Sequence, residues 1–411
     1  MTRALFALLA LGCTYDSHVA TSGSDAAIDA QADAQPAPDA GVGTTSSAVL
    51  GIALADLDGD GRDDLAVLEL LAERARPRLA PRLRLLYGGV DVPPSVEDEL
   101  DHALLGESFE SRVVRDGASA PVDVRGGLAA GDFDGDGVLD LAVALSVEGE
   151  GAVHLLAGAP SRALPDRLEA LPSLTPHGAS VRALGDLDGD GADELWIEAC
   201  DGRAWIHPGA APLVDARLDA PSDLGAVFGL GDVDGDGRDD LAIAEPGGVA
   251  VYPGPVALPP DGRAPSARIP GPEPASLVAH ASGGVVVLWR ETGASDRLVA
   301  YRLAASEVTE VASLDTGSPG CVLGARERAS VVLLGCPGDA CEGDACRGAL
   351  RVLSTPDLTS RRDWSGSPLT VGGDRLGESV ALGDFDGDGE LDAAFSSRSR
   401  GVRLLGAAEL P

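Results

Sequence analysis

The chain has 411 residues without a single lysine or asparagine, one methionine, and only 3% aromatic residues. With so few rings available, a core must come from Val, Leu, Ile and Ala. The 54 glycines and 28 prolines interrupt the sequence too often for long helices, which leaves short strands and many turns. Positive charge is scarce as well. Against 66 acidic residues stand 31 basic ones, and a net charge of −35 repels phosphates and excludes nucleic acid as a partner. The use of arginine for lysine and the abundance of alanine carry no functional weight. Catalytic signatures are also missing: the six histidines, at 18, 102, 154, 177, 207 and 280, show no H-E-x-x-H spacing, and neither G-x-S-x-G nor a phosphate loop occurs.

What the chain does have is one stretch used five times. Asp-x-Asp-Gly-Asp-Gly-x-x-Asp/Glu begins at Asp56, Asp132, Asp186, Asp232 and Asp384. Side-chain oxygens recur at positions 1, 3, 5 and 9, and glycines at 4 and 6 let the backbone turn tightly around a small cation, the pattern of a calcium loop. Twenty acidic groups occupy these positions, and bound cations would relieve their mutual repulsion. An EF-hand shares positions 1, 3, 5 and 6 but requires a bidentate Glu at 12. Here position 12 is Val67, Val143, Ile197, Ile243 and Phe395, which fits a strand facing a core. Four carboxylates closing each site suit a structural cation that holds a turn rather than one that polarises a substrate.

Residues 1–12, a basic start followed by a short apolar run, read as a signal peptide too short to act as a stable membrane anchor. The run ends in Leu9-Ala10-Leu11-Gly12-Cys13, which resembles a bacterial lipobox with Ala10 at the usual leucine position. That resemblance implies lipidation of Cys13, and Thr14 after it implies sorting to the outer membrane of a double-membrane envelope. Plain secretion is the alternative. Residues 13–44 would be the lipidated Cys and a disordered tether of Ala, Asp, Ser, Gly and Pro, whose span is about 30 Å for about 30 residues.

From residue 45 short apolar runs alternate with Gly, Pro and Asp. The loop starts are separated by 76, 54, 46 and 152 residues, and the last gap is close to three repeats. Two units without the metal motif are therefore expected between 270 and 370, one around Val285–Trp289 and Arg297–Leu303, the other around Val331–Leu334 and Leu350–Leu353. Five and two make seven units of four strands, an all-β fold: a seven-bladed β-propeller of antiparallel blades over 45–411. The expected blades are 50–120, 121–180, 181–223, 224–272, 273–317, 318–370 and 371–411, the last completed by a strand at 45–49 that closes the ring. His154 and His207 fall at matching places on third strands and read as packed strand residues.

The stretch Leu376-Gly-Glu-Ser-Val-Ala-Leu-Gly-Asp384-Phe-Asp386-Gly-Asp388-Gly-Glu-Leu-Asp392 and its fellow copies resemble FG-GAP and VCBS repeats, the units of the integrin α propeller and of bacterial surface proteins. The resemblance covers about 46–411 and implies the ligands. They are Asp56, Asp58, Asp60 and Asp64 with the carbonyl of Arg62; Asp132, Asp134, Asp136 and Asp140 with Val138; and Asp186, Asp188, Asp190 and Glu194 with Ala192. The last two sets are Asp232, Asp234, Asp236 and Asp240 with Arg238, and Asp384, Asp386, Asp388 and Asp392 with Glu390. It also implies that partners meet the face opposite the metal loops.

Among the cysteines, Cys321–Cys336 and Cys341–Cys346 are the expected disulfides of an oxidising envelope, with zinc at the 336/341/346 cluster as an alternative and Cys200 as a buried thiol. The expected function is a calcium-stabilised, non-catalytic surface module, monomeric, binding an extracellular protein or glycan. The connection 71–84, rich in arginine (74, 76, 78, 82 and 84), is a candidate contact for an acidic partner, with 337–347 and 397–400 on the same face. The alternatives are a polysaccharide lyase or hydrolase working at the propeller mouth, and a lectin with repeated sites. Trp196, Trp205, Trp289 and Trp364 share no repeat position, which counts against the lectin.

Overall fold

The computed structural model describes residues 47–411 except 73–77, 90–100, 106–108, 111, 116–117, 163, 169–179, 200–201, 210–217, 220–224, 255–263, 281, 292–294, 305–306, 327–329, 340, 343–344, 364–374, 398–400 and 407–411. The expected signal peptide, Cys13, the tether and Cys200 lie outside the described residues. No helix occurs among them, and the chain is all-β.

The first sheet runs in the order β1 (Ser47–Ala55), β2 (Asp64–Ala72), β3 (Arg78–Leu86), β4 (Asp101–Leu105), with β5 (Phe109–Glu110) also paired to β3. A separate hairpin, β6 (Arg112–Arg115) and β7 (Ala118–Pro121), precedes the sheet of β8 (Val124–Gly131), β9 (Asp140–Val147) and β10 (Glu150–Leu156). The short β11 (Arg167–Leu168) pairs in parallel with β4. Then follow β12 (Ser180–Gly185), β13 (Glu194–Glu198), β14 (Ala204–His207) and β15 (Leu218–Asp219), and after them β16 (Val227–Gly231), β17 (Asp240–Glu245), β18 (Gly248–Tyr252) and β19 (Ala267–Pro270).

Two four-stranded sheets occupy the stretch without the metal motif. One is β20 (Glu273–His280), β21 (Gly284–Arg290), β22 (Arg297–Ala304) and β23 (Glu307–Asp315). The other joins β24 (Val322–Gly324) and β25 (Val331–Cys336) to β28 (Ala349–Ser354) and β29 (Ser360–Asp363), with the hairpin of β26 (Cys341–Glu342) and β27 (Ala345–Cys346) between them. The chain ends in β30 (Val380–Gly383), β31 (Asp392–Ser397) and β32 (Gly401–Leu405).

Second strands are buried on both faces, as in β9 (Leu141 to Leu145) and β25 (Val331 to Cys336), because each sheet is covered on either side by its neighbours. The core is accordingly divided among the junctions between sheets. Phe133, Leu195, Ile197 and Trp205 fill one junction, and Leu65, Val67, Phe385 and Leu404 fill the junction between the last sheet and the first. First strands also pack in sequence, β1 against β8, β8 against β12, β12 against β16, and finally β30 against β1.

Three expectations need correction. Residues 47–49 do not complete the last sheet: they begin β1 and pair with Leu71, Leu70 and Glu69, because 47–55 is one apolar run leading straight into the first loop. The connection expected at 71–84 is largely strand. Arg78, Arg82 and Arg84 lie in β3, where Leu79, Leu83 and Leu85 alternate with polar neighbours at the strand period of two. Nor do His154 and His207 match: His154 stands opposite Val143, whereas His207 stands opposite Leu195, which corresponds to the pairing of Leu156 with Leu141.

Candidate metal centre

Each of the five loops joins the first strand of a sheet to the second, and glycines 4 and 6 all adopt left-handed backbone, from φ 72° at Gly59 to 96° at Gly191. A side chain there would be strained, which is why the motif needs glycine at both places. The resulting turn aims backbone N–H groups inward. Asp56 accepts Asp60 N–H on Oδ1 at 3.1 Å and Gly61 N–H on Oδ2 at 2.9 Å, and Asp132, Asp186 and Asp232 repeat the arrangement. Position 5 accepts the N–H of position 7, as Asp60 does from Arg62 at 2.9 Å.

Position 9 ties the loop to the body of its sheet. Asp64 takes Leu57 N–H at 2.9 Å and Gly88 N–H, just past the third strand, at 2.7 Å. Asp140 does the same with Phe133 and Gly158, and Asp240 with Val233 and Gly254. Burial pushes the carboxyls of Asp64 and Asp140 up to about 7 and that of Glu194 up to about 8; the N–H bonds oppose this, while the other loop carboxylates add to it. A bound cation would reverse that balance by stabilising the ionised form.

Three carboxylates converge in each loop, with ligand oxygens within 4.8 Å of one another: Asp56, Asp58 and Asp64; Asp132, Asp134 and Asp136; Asp186, Asp188 and Asp190; Asp232, Asp234 and Asp240; Asp384, Asp386 and Asp392. All-oxygen donors of this kind suit a hard divalent ion. In the last loop Asp384 Oδ1 is buried with no hydrogen-bond partner, while Oδ2 accepts Gly389 N–H at 3.0 Å. A buried carboxylate oxygen without a donor is costly, and a cation held with Asp386 and Asp392 would satisfy it. The five position-12 residues are buried, as the strand reading requires.

Position 8 is a functional position that motif reading missed. Asp63 N–H donates to Asp384 O at 2.8 Å, and Asp63 Oδ2 accepts Asp384 N–H at 2.7 Å, so two bonds clamp the first loop to the last. Asp193 and Asp132 form the same pair at 2.7 and 2.9 Å, and Asp239 accepts Asp186 N–H at 3.0 Å. Each clamp needs space. A β-carbon on Gly383, Gly131 or Gly185 would stand 2.5, 2.8 or 2.1 Å from the clamping oxygen. Burial raises the carboxyls of Asp63 and Asp193, the latter to about 6. The sequence holds a partial signal: Gly precedes position 1 wherever the next loop carries Asp at position 8, and Ala55 precedes the loop whose successor carries Leu139, but Gly231 also precedes a loop whose successor carries Leu391.

Cys321 and Cys336 form the expected disulfide. Cys346 is disulfide-bonded too, and the backbone places it opposite Cys341, whose side chain lies outside the described residues. The arginine edge is partly neutralised, since Arg82 and Arg84 both pair with the buried Glu69. Arg74, Arg76, Trp364 and 398–400 lie outside the described residues.

An FG-GAP repeat model matches residues 224–258, which span β16, the fourth loop, β17 and β18. No curated protein matches the chain in sequence. Among solved structures, BBS1N in complex with ARL6DN, soaked with lead, is 15% identical, with a TM-score of 0.45 over 92% of this chain and 96% of that one. Sqt1 of Saccharomyces cerevisiae is 10% identical, TM-score 0.44, over 88% and 86% of the two chains. The WD40 domain of SCAP from fission yeast is 11% identical, TM-score 0.40, over 87% and 95%. Likenesses of this degree carry nothing about activity or partners. The chain thus carries an FG-GAP repeat within an all-β, propeller-like fold.

Proposed function

We propose that this chain is a calcium-stabilised β-propeller of seven blades that serves as a non-catalytic binding module on the outside of a bacterial cell, exported by residues 1–12 and anchored through a lipid on Cys13. Counting the sheets that begin with β1, β8, β12, β16, β20, β24 and β30 supports seven blades, and the apolar junction between β30–β32 and β1–β2 supports a ring closed by packing rather than by a shared strand.

The observation that carries the reading is the way the loop carboxylates are used. Their oxygens hold the loop's own N–H groups and the exit of the third strand, so a cation held here would complete a turn. The buried histidines have backbone partners as well: His154 Nδ1 meets Leu168 O at 3.0 Å, and His280 is held on both nitrogens. With the metal face committed to structure, the partner, an extracellular protein or glycan, docks on the opposite face, where second strands connect to third.

Calorimetry tests the calcium reading. Excess EDTA should lower the melting temperature and added calcium should restore it, because a ligand that binds only the folded state stabilises it by mass action. An unchanged melting temperature rejects it. Cross-linking in calcium to isolated envelopes tests the docking face: links should concentrate on that face, and links confined to the five loops would place the partner on the wrong side.

A further inference from the structure

Among the described residues, the first loop differs from the second and third in what lies against it. Arg162, in the segment that follows β10, reaches across the junction between the first two sheets. Its Nε pairs with Asp58 Oδ2, and its Nη2 pairs with Asp60 Oδ2 at 2.7 Å. The guanidinium also lies over the Tyr87 ring, 5.2 Å from its centroid. The segment is fixed to the loop it reaches, since Ala159 N–H donates to Leu57 O at 2.9 Å and Gly158 N–H to Asp140 Oδ1 at 2.8 Å. Arg162 itself takes a left-handed backbone, φ 52°, which costs an L-residue energy that its contacts must offset.

A second observation concerns the same junction. The aspartate clamp that joins the second loop to the third, the third to the fourth and the last to the first has no counterpart here, because position 8 of the second loop is Leu139 and the residue before Asp56 is Ala55. An arginine from the second sheet links the first two blades instead, and it does so through the ligand carboxylates themselves.

We propose that Arg162 is a built-in counter-cation for the first loop, so that a divalent ion binds this loop more weakly than the second and third and must displace the guanidinium to enter. The inference rests on reading the loops as cation sites. Asp58 and Asp60 supply positions 3 and 5 of the ligand set, and oxygens engaged by a guanidinium fork are not free to complete a calcium shell. Like charges at this range also repel strongly where water is partly excluded. The arginine side chain is 43% exposed, so it can swing outward when an ion enters. The first loop then becomes one whose occupancy tracks calcium concentration while the second and third are already filled.

The test is calcium titration of the folded, full-length protein by calorimetry, with bound ions counted by native mass spectrometry. The wild type should fill the first-loop site only at about tenfold higher calcium or more than the second- and third-loop sites, a difference of about 1.4 kcal/mol. Asp56→Asn should remove the late step alone. Arg162→Gln should bring the first-loop site into line with those two, and Arg162→Lys, which keeps the charge but loses the fork, should move it part of the way and serves if the glutamine variant does not fold. Five equivalent sites in the wild type, or weaker binding in Arg162→Gln, would overturn the inference while leaving the calcium loops intact. Absence of calcium binding in every variant would remove both.

Discussion

At Gly131 a β-carbon would lie 2.8 Å from Asp193 Oδ2, and that oxygen holds Asp132 N–H, so one missing methyl and one carboxylate form a single device. Asp193→Ala leaves a half-buried N–H without its acceptor and is expected to cost about 1 kcal/mol. Gly131→Ala should cost a similar amount by pushing the same carboxylate aside. Because each change breaks the same bond, the double variant should lose clearly less than the sum of the two, measured by chemical denaturation in calcium. Additive losses would mean that the glycine serves the Phe133 ring, which its added carbon would also approach at 2.9 Å, and not the clamp.

At the scale of elements, the loops and the strands beside them were legible because their constraints are local. Left-handed glycines, carboxylates every second residue and an apolar position 12 all fall within a dozen residues. The position-8 clamp couples residues 61 apart in one case and 321 in another, so it could be found only by comparing loops in pairs. Residues 47–49 depart from expectation for a related reason: their apolar run continues without a break into β1, so no separate closing strand is available there. In β3 the alternation of Leu with Arg carries the strand period, and the density of arginine masks it.

The turn between β20 and β21 shows what replaces a metal loop. His280 Nδ1 accepts Ser282 N–H at 3.2 Å, and Nε2–H donates to Tyr301 O on β22 at 3.0 Å, so a neutral imidazole joins the turn to the third strand as Asp64 does in the first sheet. Burial, with Arg302 nearby, holds the His280 pKa below its usual 6.5. A base whose folded pKa is depressed contributes stability above the unfolded value and loses it as pH falls through the folded one. On acidification below about 6.5 the wild type should therefore lose more melting temperature than His280→Gln, both at the same saturating calcium. Parallel curves would mean that the imidazole does not titrate within the fold.

For the whole molecule, the proposed ring divides unevenly. The sheets of β20–β23 and β24–β29 carry no metal loop, and they stand side by side between the loop at Asp232 and the loop at Asp384. A cation that only holds turns should leave that arc unaffected, whereas a ring acting as one cooperative unit should transmit the loss everywhere, because every sheet is buried against two others. The junction cores favour the first outcome: each is apolar and needs no ion, as with Val286, Leu288, Leu334 and Leu353 between the two metal-free sheets. Hydrogen exchange in calcium and in EDTA distinguishes the two. Removing the ion should speed exchange at the loop amides that face ligand carboxylates, such as Asp136, Gly137 and Val138, while the amides of β21 and β25 stay protected. Equal acceleration in all strands would show instead that the cations hold the ring together as a whole.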